Sequence, residues 1–258
     1  MLTINNLTYK IGDNLILKNI SAEFNDGEII GITGPAGSGK STFIDLLRKK
    51  HTNYDGDIII DNTDIKNTDK KRLKILISYF STSDNLINPE SVVKEWVLGG
   101  RINHKKKFGP YSEIDRELAT RETENFGLNS FSELRLKLIS KSSMQMASLA
   151  RTFAAQSKIM LLKNPETGLN INQKVLLAKC IKKYTIKGQN TVILSSTDLN
   201  FLAAVCDRII VLADNAIAET GTQRIITGEF IKKYFNIEAI VTKNIYSGLP
   251  EIQIIDEN

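Results

Sequence analysis

A glycine-rich segment near the N-terminus carries the clearest chemistry in the sequence. The stretch "GPAGSGKST" places a lysine and two hydroxyl residues directly after its third glycine. It satisfies the pattern G-x-x-x-x-G-K-[ST], with an apolar, strand-like run before it and a helix-like run after it. Such glycines let successive backbone N–H groups converge on phosphate oxygens, and the helix N-terminus adds a favourable dipole. We therefore predict that this segment binds a nucleotide through its phosphates.

Each residue of this phosphate loop is a predicted contact of the nucleotide. The set is Gly34, Pro35, Ala36, Gly37, Ser38, Gly39, Lys40, Ser41 and Thr42. Lys40 would neutralise the terminal phosphates, and the Ser41 hydroxyl is the candidate magnesium ligand. A glycine-rich turn without a ligand is the alternative, which the flanking strand and helix disfavour.

The elements that must position this loop predict an α/β fold. The first 24 residues alternate partly between apolar and polar types, as an antiparallel edge sheet does. Residues 92–156 have mainly helical patterns, including Ser112 and Asp115 in capping-box spacing. From residue 159 onward short apolar strands alternate with helices, which favours a mostly parallel sheet covered on both faces. A helical block is thus predicted to interrupt an α/β domain.

The composition narrows the class of protein. The chain has 258 residues, 41% of them hydrophobic and 24% charged, which is ordinary for a folded globular protein. Its formal charge of +5 lies in small clusters without interleaved aromatic residues, so a nucleic-acid partner is not expected. Cys180 and Cys206 lie in apolar contexts and are predicted to be buried, reduced thiols. No stretch approaches the roughly 20 apolar residues that span a bilayer.

Around the phosphate loop, the order of segments resembles the ATP-binding subunit of an ABC transporter over nearly the whole chain. The segment "ISYFSTSDN" stands at the family's glutamine loop and "ISKSSMQMASLAR" at its signature helix. "IMLLKNPETGLN" stands at the second nucleotide motif and D-loop, and "TVILSSTDLN" at the switch histidine. The resemblance implies a P-loop NTPase fold of the ABC type as one domain, residues 1–258. It also implies a helical subdomain at about 86–157 and a C-terminal tail at about 222–258.

Two further segments resemble the subgroup that serves importers of ferric siderophores, haem and vitamin B12. They are "SVVKEWVLGGR" and the tail that begins "GTQRIITGEFIKKYF". This resemblance implies ATP as ligand, and a membrane permease and a second nucleotide-binding subunit as partners. It implies a peripheral position on the cytoplasmic face of the cell membrane.

The departures from the family pattern fall on its catalytic positions. Where the family has a magnesium-binding Asp and then a water-activating Glu, this chain has Lys163 and Asn164. The other replaced positions are the switch histidine (Thr197), the glutamine (about Thr82), the adenine-stacking aromatic (Ile11, with Tyr9 two residues earlier), the D-loop Asp (Asn170) and the signature, of which only Ser140 is retained.

These replacements predict weakened hydrolysis beside intact phosphate binding. Lys163 changes the local charge by about two units where a divalent cation would bind, so we expect poorer magnesium binding. Asn164 cannot accept a proton from water, and a general base contributes a factor of about 10² to 10⁴. Lys163 either supplies positive charge in place of magnesium or carries its ammonium away to solvent, and the sequence leaves both open.

Three functions are consistent with this pattern. The first is an importer subunit that binds ATP but is deficient in hydrolysis. The second is a working importer ATPase that uses unrecognised residues, with Glu166 as the only nearby acid. The third is a soluble regulatory or assembly protein of the ABC type without a permease.

Overall fold

A computed structural model describes residues 1–83, 87–105, 109–186 and 188–254 of the protein. Its strands are β1 (Leu2–Ile11), β2 (Asn14–Phe24), β3 (Ile29–Thr33), β4 (Asp55–Ile60), β5 (Thr63–Asp64), β6 (Ile77–Ser81), β7 (Ile159–Lys163), β8 (Thr191–Ser195), β9 (Arg208–Ala213), β10 (Ala216–Gly221), β11 (Ala239–Lys243) and β12 (Pro250–Ile254). Its α-helices are α1 (Lys40–Leu47), α2 (Lys70–Leu76), α3 (Val93–Leu98), α4 (Glu113–Asn125), α5 (Lys141–Ala154), α6 (Ile171–Thr185), α7 (Leu199–Val205) and α8 (Gly228–Phe235).

The N-terminal residues form the predicted antiparallel sheet. Its four strands lie in the order β2-β1-β4-β5, and every neighbouring pair is antiparallel. The alternation in the sequence is interrupted at Asn6 and Asn19, both of which adopt positive φ at irregularities in the strand pairing. Asparagine tolerates this backbone conformation, so these residues allow the strands to bend without losing their buried face.

A second sheet forms the centre of the protein. Its six strands lie in the order β10-β9-β3-β8-β7-β6, and all neighbouring pairs are parallel except β9 with β10. Strands β3, β7 and β8 are apolar along nearly their whole length because helices cover both faces. The mostly parallel core predicted from strand and helix alternation is confirmed.

Each face of this sheet packs against a different set of elements. On one face, buried side chains of α1 pack with those of the antiparallel sheet, including Phe43 and Leu46. On the other face, α5, α6 and α7 supply the core. Alternate residues of β7 divide between these faces: Leu161 lies on the α1 face and Leu162 on the opposite face. Odd and even positions along a strand point to opposite faces of the sheet. This alternation, or parity, therefore decides which helices a side chain contacts.

The helical block consists mainly of α3, α4 and α5. Its predicted capping box is present: the Ser112 hydroxyl accepts the Asp115 N–H, and the Asp115 carboxylate accepts the Ser112 N–H. Asp115 also accepts a hydrogen bond from the buried Arg101 at 2.8 Å. Arg101 donates further to the carbonyls of Ala154, the last residue of α5, and Ala155, its C-cap. This buried group joins the block to the end of α5.

The apolar stripe predicted on α5, formed by Met146, Leu149, Ala150 and Phe153, is buried. Cys180 and Cys206 are buried free thiols, as expected. The C-terminal part contains α8 and the antiparallel hairpin of β11 and β12. Within the described ranges, no helix has the length and apolar character needed to cross a membrane. The predicted start of the helical subdomain at residue 86, and the end of the predicted tail at 258, lie outside those ranges.

Candidate nucleotide-binding site

The phosphate loop lies between the buried strand β3 and helix α1, and its glycines have conformations that other residues rarely adopt. Gly34, Gly37 and Gly39 have φ values of 138°, 78° and 89°. A side chain on Gly34 would place its Cβ 2.0 Å from the carbonyl oxygen of Leu212. Glycine is therefore required at Gly34 both by the backbone angle and by the close passage of β9.

Lys40 is held by the loop itself. Its ammonium donates to the carbonyl oxygens of Gly34 at 2.8 Å and Pro35 at 2.6 Å, and to Ser38 Oγ at 3.2 Å. Partial burial lowers the pKa of this ammonium from its ordinary value. The Lys40 ammonium is therefore hydrogen-bonded to the loop's own oxygen atoms. A bound phosphate would compete with these oxygens for the N–H groups of Lys40.

The rest of the loop leaves room for a ligand. Ala36, Gly37 and Ser41 are exposed, whereas Ser38 is buried beneath the lysine. The predicted contacts from Gly34 to Thr42 therefore come together in one segment that ends in the first turn of α1. Its exposed backbone at the start of a helix is suited to an anion.

Three parallel strands end beside one another with Lys163 in the middle. Lys163 is in register with Ser81 of β6 and Ser195 of β8. Leu161 and Ile193, two residues earlier in β7 and β8, lie in the core that contains α1, so strand parity places Lys163 and Ser195 on the α1 face. Lys163 is partly buried, and among the described residues its ammonium has neither a hydrogen-bond nor an ion-pair partner.

This row of Ser81, Lys163 and Ser195 was not predicted as a group. Sequence patterns identified Lys163 through its motif but gave no reason to select the two serines. The register of three strands, far apart in the chain, brings them together.

Asn164 begins the turn after β7 with a left-handed backbone. Its φ is 47°, and its N–H donates to the carbonyl of Ser195 at 2.9 Å. Asparagine is among the few residues that adopt this conformation readily. The amide therefore has a local structural reason, whatever role the resemblance to the family predicts for this position.

Glu166, the only acid close to this motif in sequence, turns into the protein. It is 3% exposed, and its Oε1 accepts the hydroxyl proton of Ser196 at 2.5 Å. Its Oε2 has no hydrogen-bond partner within the described part of the chain. Burial raises the pKa of the Glu166 carboxyl, and the hydrogen bond from Ser196 opposes part of that rise. Because solvent does not reach this carboxyl, it is poorly placed to activate a water molecule.

The remaining predicted residues lie at the edges of the site. Thr82 is partly buried in the turn after β6, and Thr197 is exposed in the loop after β8. Ile11 is 54% exposed at the end of β1. Tyr9 is buried, with its ring centroid 5.5 Å from that of His51, so it does not replace the missing aromatic at the surface.

Ser140 and Asn170 both act as helix N-caps. The Ser140 hydroxyl accepts the Ser143 N–H at the start of α5, and Asn170 forms a capping box with Gln173 at the start of α6. Gln173 also donates to the Ser142 hydroxyl at 3.2 Å. The segments expected to be the signature and the D-loop are therefore in direct contact.

The residues at the site do not suit magnesium. Hard divalent cations prefer carboxylate and other oxygen ligands, but the positions expected to supply them hold the Ser41 hydroxyl and the Lys163 ammonium. In the described ranges, no group of three or more His, Cys, Asp or Glu residues is placed to hold a metal ion.

Comparisons with known proteins agree with this architecture. The family model described as "ABC transporter" matches residues 17–167. The ferric enterobactin transport ATP-binding protein FepC of Escherichia coli (strain K12) is 26% identical over 246 residues, covering 95% of this chain and 90% of FepC. The petrobactin import ATP-binding protein FpuC of Bacillus anthracis is 27% identical, covering 92% and 88%. The cobalamin import ATP-binding protein BtuD of Halobacterium salinarum is 24% identical, and the match spans 96% of this chain but 62% of BtuD.

Solved structures share the fold. A dimeric post-hydrolysis structure of the ATP-binding cassette MJ0796, bound to ADP and Pi, superposes with a TM-score of 0.74 at 26% identity, covering 86% of this chain and 98% of that one. A nucleotide-free cassette from an ABC transporter gives a TM-score of 0.75 at 23% identity, covering 92% and 95%. The predicted fold class, an α/β domain with an antiparallel subdomain and a helical insertion, is confirmed. From the family match, the phosphate loop and this fold together, the chain belongs to the ABC transporter family as an ATP-binding domain.

Proposed function

We propose that this chain is the nucleotide-binding subunit of an ABC importer, of the iron-siderophore, haem or cobalamin type, which binds ATP without hydrolysing it at a useful rate. The observation that carries this proposal is the pairing of a complete phosphate loop with the Lys163 and Asn164 pair. The relatives named for ferric enterobactin, petrobactin and cobalamin transport support the importer class. In such an assembly the chain would lie on the cytoplasmic face of the membrane with a permease and a second nucleotide-binding subunit.

The position of Glu166 disfavours a working ATPase with that residue as base. The carboxyl is buried on the side of α6 and α7, where the charges of Lys174 and Asp198 act on it. The phosphate loop leads into α1 on the opposite face of the sheet. A base must come within hydrogen-bond reach of the proton it removes, directly or through one water molecule.

The decisive experiment measures ATP binding and phosphate release by the purified chain. We expect ATP to bind the wild-type protein and the Lys18→Ala control, whose lysine is exposed on β2, but not the Lys40→Ala variant. Phosphate release should stay at background in all three proteins. Magnesium-dependent turnover that Lys40→Ala abolishes would contradict the proposed deficiency.

We further propose that nucleotide binding does not depend on magnesium, with the Lys163 ammonium supplying positive charge at the terminal phosphates. The parity of β7, which places Lys163 on the α1 face, supports this over an ammonium that points to solvent. We expect the ATP affinity to change less than about twofold when MgCl₂ is replaced by EDTA. In EDTA, Lys163→Met should weaken binding by about tenfold, which corresponds to about 1.4 kcal/mol.

A matched substitution sharpens this test. Lys163→Asp restores an acid at the same strand position, so its ATP affinity should become dependent on MgCl₂. Collapse of the wild-type affinity in EDTA would reject the metal-independent site. Co-purification of a membrane permease with the chain would test the importer assignment separately.

A further inference from the structure

The strands β7 and β8 end side by side, and the segments that follow them carry replaced family positions. The turn after β7, residues 164–168, begins with Asn164 next to Lys163. The loop after β8, residues 196–198, contains the exposed Thr197. The turn is joined to the end of β8 by a backbone hydrogen bond, from the Asn164 N–H to the carbonyl of Ser195, the last residue of that strand, at 2.9 Å.

A buried side-chain pair joins the same two segments. Glu166 and Ser196 are 3% and 0% exposed, and the Ser196 hydroxyl donates to Glu166 Oε1 at 2.5 Å. The same Ser196 oxygen accepts the Asp198 N–H at 2.9 Å. One hydroxyl thus connects a carboxyl in the turn to the backbone of the loop.

The connection continues into α7. The Asp198 side chain caps this helix by accepting the Phe201 N–H at 2.9 Å, and it also pairs with Lys174 of α6 at 2.8 Å. The loop that carries Thr197 is therefore fixed at its helical end by α6 and α7. The hydrogen bond between Ser196 and Glu166 connects this fixed loop to the turn that contains Asn164.

Burying the Glu166 carboxyl destabilises the folded state in a way that an apolar side chain at the same position would not. Burial disfavours the charged form of Glu166, and Oε2 has no partner among the described residues. A buried polar atom that lacks a hydrogen-bond partner lowers the free energy of unfolding. An apolar residue at this position would destabilise the fold less. We therefore attribute the presence of a carboxyl here to its hydrogen bond with Ser196.

We propose that Glu166 is a positioning residue, whose hydrogen bond with Ser196 holds the turn of residues 164–168 and the loop of residues 196–198 as one unit beside the terminal phosphate of the nucleotide. This inference rests on the proposed function. The Ser196 N–H donates to the carbonyl oxygen of Ile32 in β3 at 3.1 Å, and β3 leads into the phosphate loop. Because β8 and then β7 lie next to β3 in the sheet, a terminal phosphate that extends from the phosphate loop toward these strands would meet both segments. The bond therefore favours ATP over ADP.

The test is a double-mutant cycle on the full chain, with ATP and ADP as probes. The variants are Glu166→Met, Ser196→Ala and the double variant, with Glu166→Gln as the conservative control, since its amide oxygen still accepts the Ser196 hydroxyl. We expect the ratio of the ADP and ATP dissociation constants to fall by about tenfold in both single variants. The double variant should show no larger fall, because both single changes break the same bond. Glu166→Gln should keep the wild-type ratio.

Hydrogen exchange on the nucleotide-free proteins separates this proposal from the proposed function. Glu166→Met and Ser196→Ala should each accelerate amide exchange in both segments, 164–168 and 196–198, whereas Glu166→Gln should not. A wild-type protein that binds no ATP would contradict the proposed function, and the exchange data would still test the connection. Exchange confined to the mutated segment, or an unchanged ratio in a folded double variant, would overturn the positioning role.

Discussion

The side-chain amide of Gln145 donates from Nε2 to the carbonyl oxygen of Pro165 at 2.9 Å, across 20 residues of sequence. The same nitrogen lies 2.9 Å from the carbonyl oxygen of Thr167. Helix α5 is thereby attached to both ends of the short segment that contains Glu166. The turn after β7 is consequently held from α5 on one side and from the loop after β8 on the other.

Replacing Gln145 should loosen this turn. We expect Gln145→Ala to lower the free energy of unfolding by about 1–2 kcal/mol, because two hydrogen bonds are lost, a partly buried one to the Pro165 carbonyl and an exposed one to the Thr167 carbonyl. Urea unfolding followed by circular dichroism measures the change. Gln189→Ala is the matched control, since Gln189 is exposed and its change should be within about 0.5 kcal/mol. Equal stability of the two variants would contradict this role of Gln145.

The left-handed backbone at Asn164 predicts an ordering of substitutions. Asn164→Gly should leave the free energy of unfolding nearly unchanged, whereas Asn164→Ala should lower it by about 1 kcal/mol, because a Cβ without a local polar partner disfavours φ near 47°. Thermal and urea unfolding of the three proteins provide the comparison. Asn164→Ala as stable as Asn164→Gly would show that the backbone does not select the asparagine.

The passage of β9 beside the phosphate loop predicts different effects at two of its glycines. Gly34→Ala should abolish detectable ATP binding, since the new Cβ would lie 2.0 Å from the Leu212 carbonyl oxygen. At Gly37 a Cβ meets no atom within 4 Å, so Gly37→Ala should cost only the strain of its φ of 78°, about 1 kcal/mol. ATP titration with unfolding data on both variants checks this, and equal losses of affinity would contradict it.

The buried carboxyl of Glu166 predicts a specific pH dependence of stability. Its pKa is raised above the unfolded value of 4.5, so the folded state binds the proton more tightly. The stability from that proton is fully present below pH 4.5 and is lost as the pH rises through the folded pKa. Glu166→Gln, which cannot ionise, should therefore gain stability relative to the wild type as the pH rises from 4 to about 8.

Urea unfolding at steps of one pH unit measures this difference. The exposed Glu117→Gln serves as the matched control for replacing a carboxylate at the surface. A Glu166→Gln difference that is flat, or that falls with rising pH, would contradict a raised pKa at this carboxyl.

Local patterns predicted much of this fold because they depend on residues close in sequence. The capping box of Ser112 and Asp115 needs only the spacing of one helical turn, and it is present as expected. The stripe that contains Met146 and Phe153 follows from helical periodicity, and it is buried. The strand before the phosphate loop and the helix after it were likewise evident from short-range composition.

Other contacts at the site could not be predicted from local sequence patterns, because they join residues that are far apart in the chain. Glu166 was the nearest acid in sequence and therefore a candidate base, but the turn after β7 directs it toward Ser196 and away from solvent. Tyr9 was a possible substitute for the missing aromatic, yet the pairing of β1 with β2 and β4 leaves it in the core.

Residue types alone show an intact phosphate loop, and they show Lys163 and Asn164 at the positions where the resemblance predicts acids. The positions of these two residues in space follow from the pairing of the strands. Strand parity places Lys163 on the α1 face in register with Ser81 and Ser195. The turn after β7, which begins with the left-handed Asn164, buries Glu166 against Ser196. Residue types are set by the covalent sequence, whereas register and parity arise only when distant strands pair and helices cover both faces of the sheet.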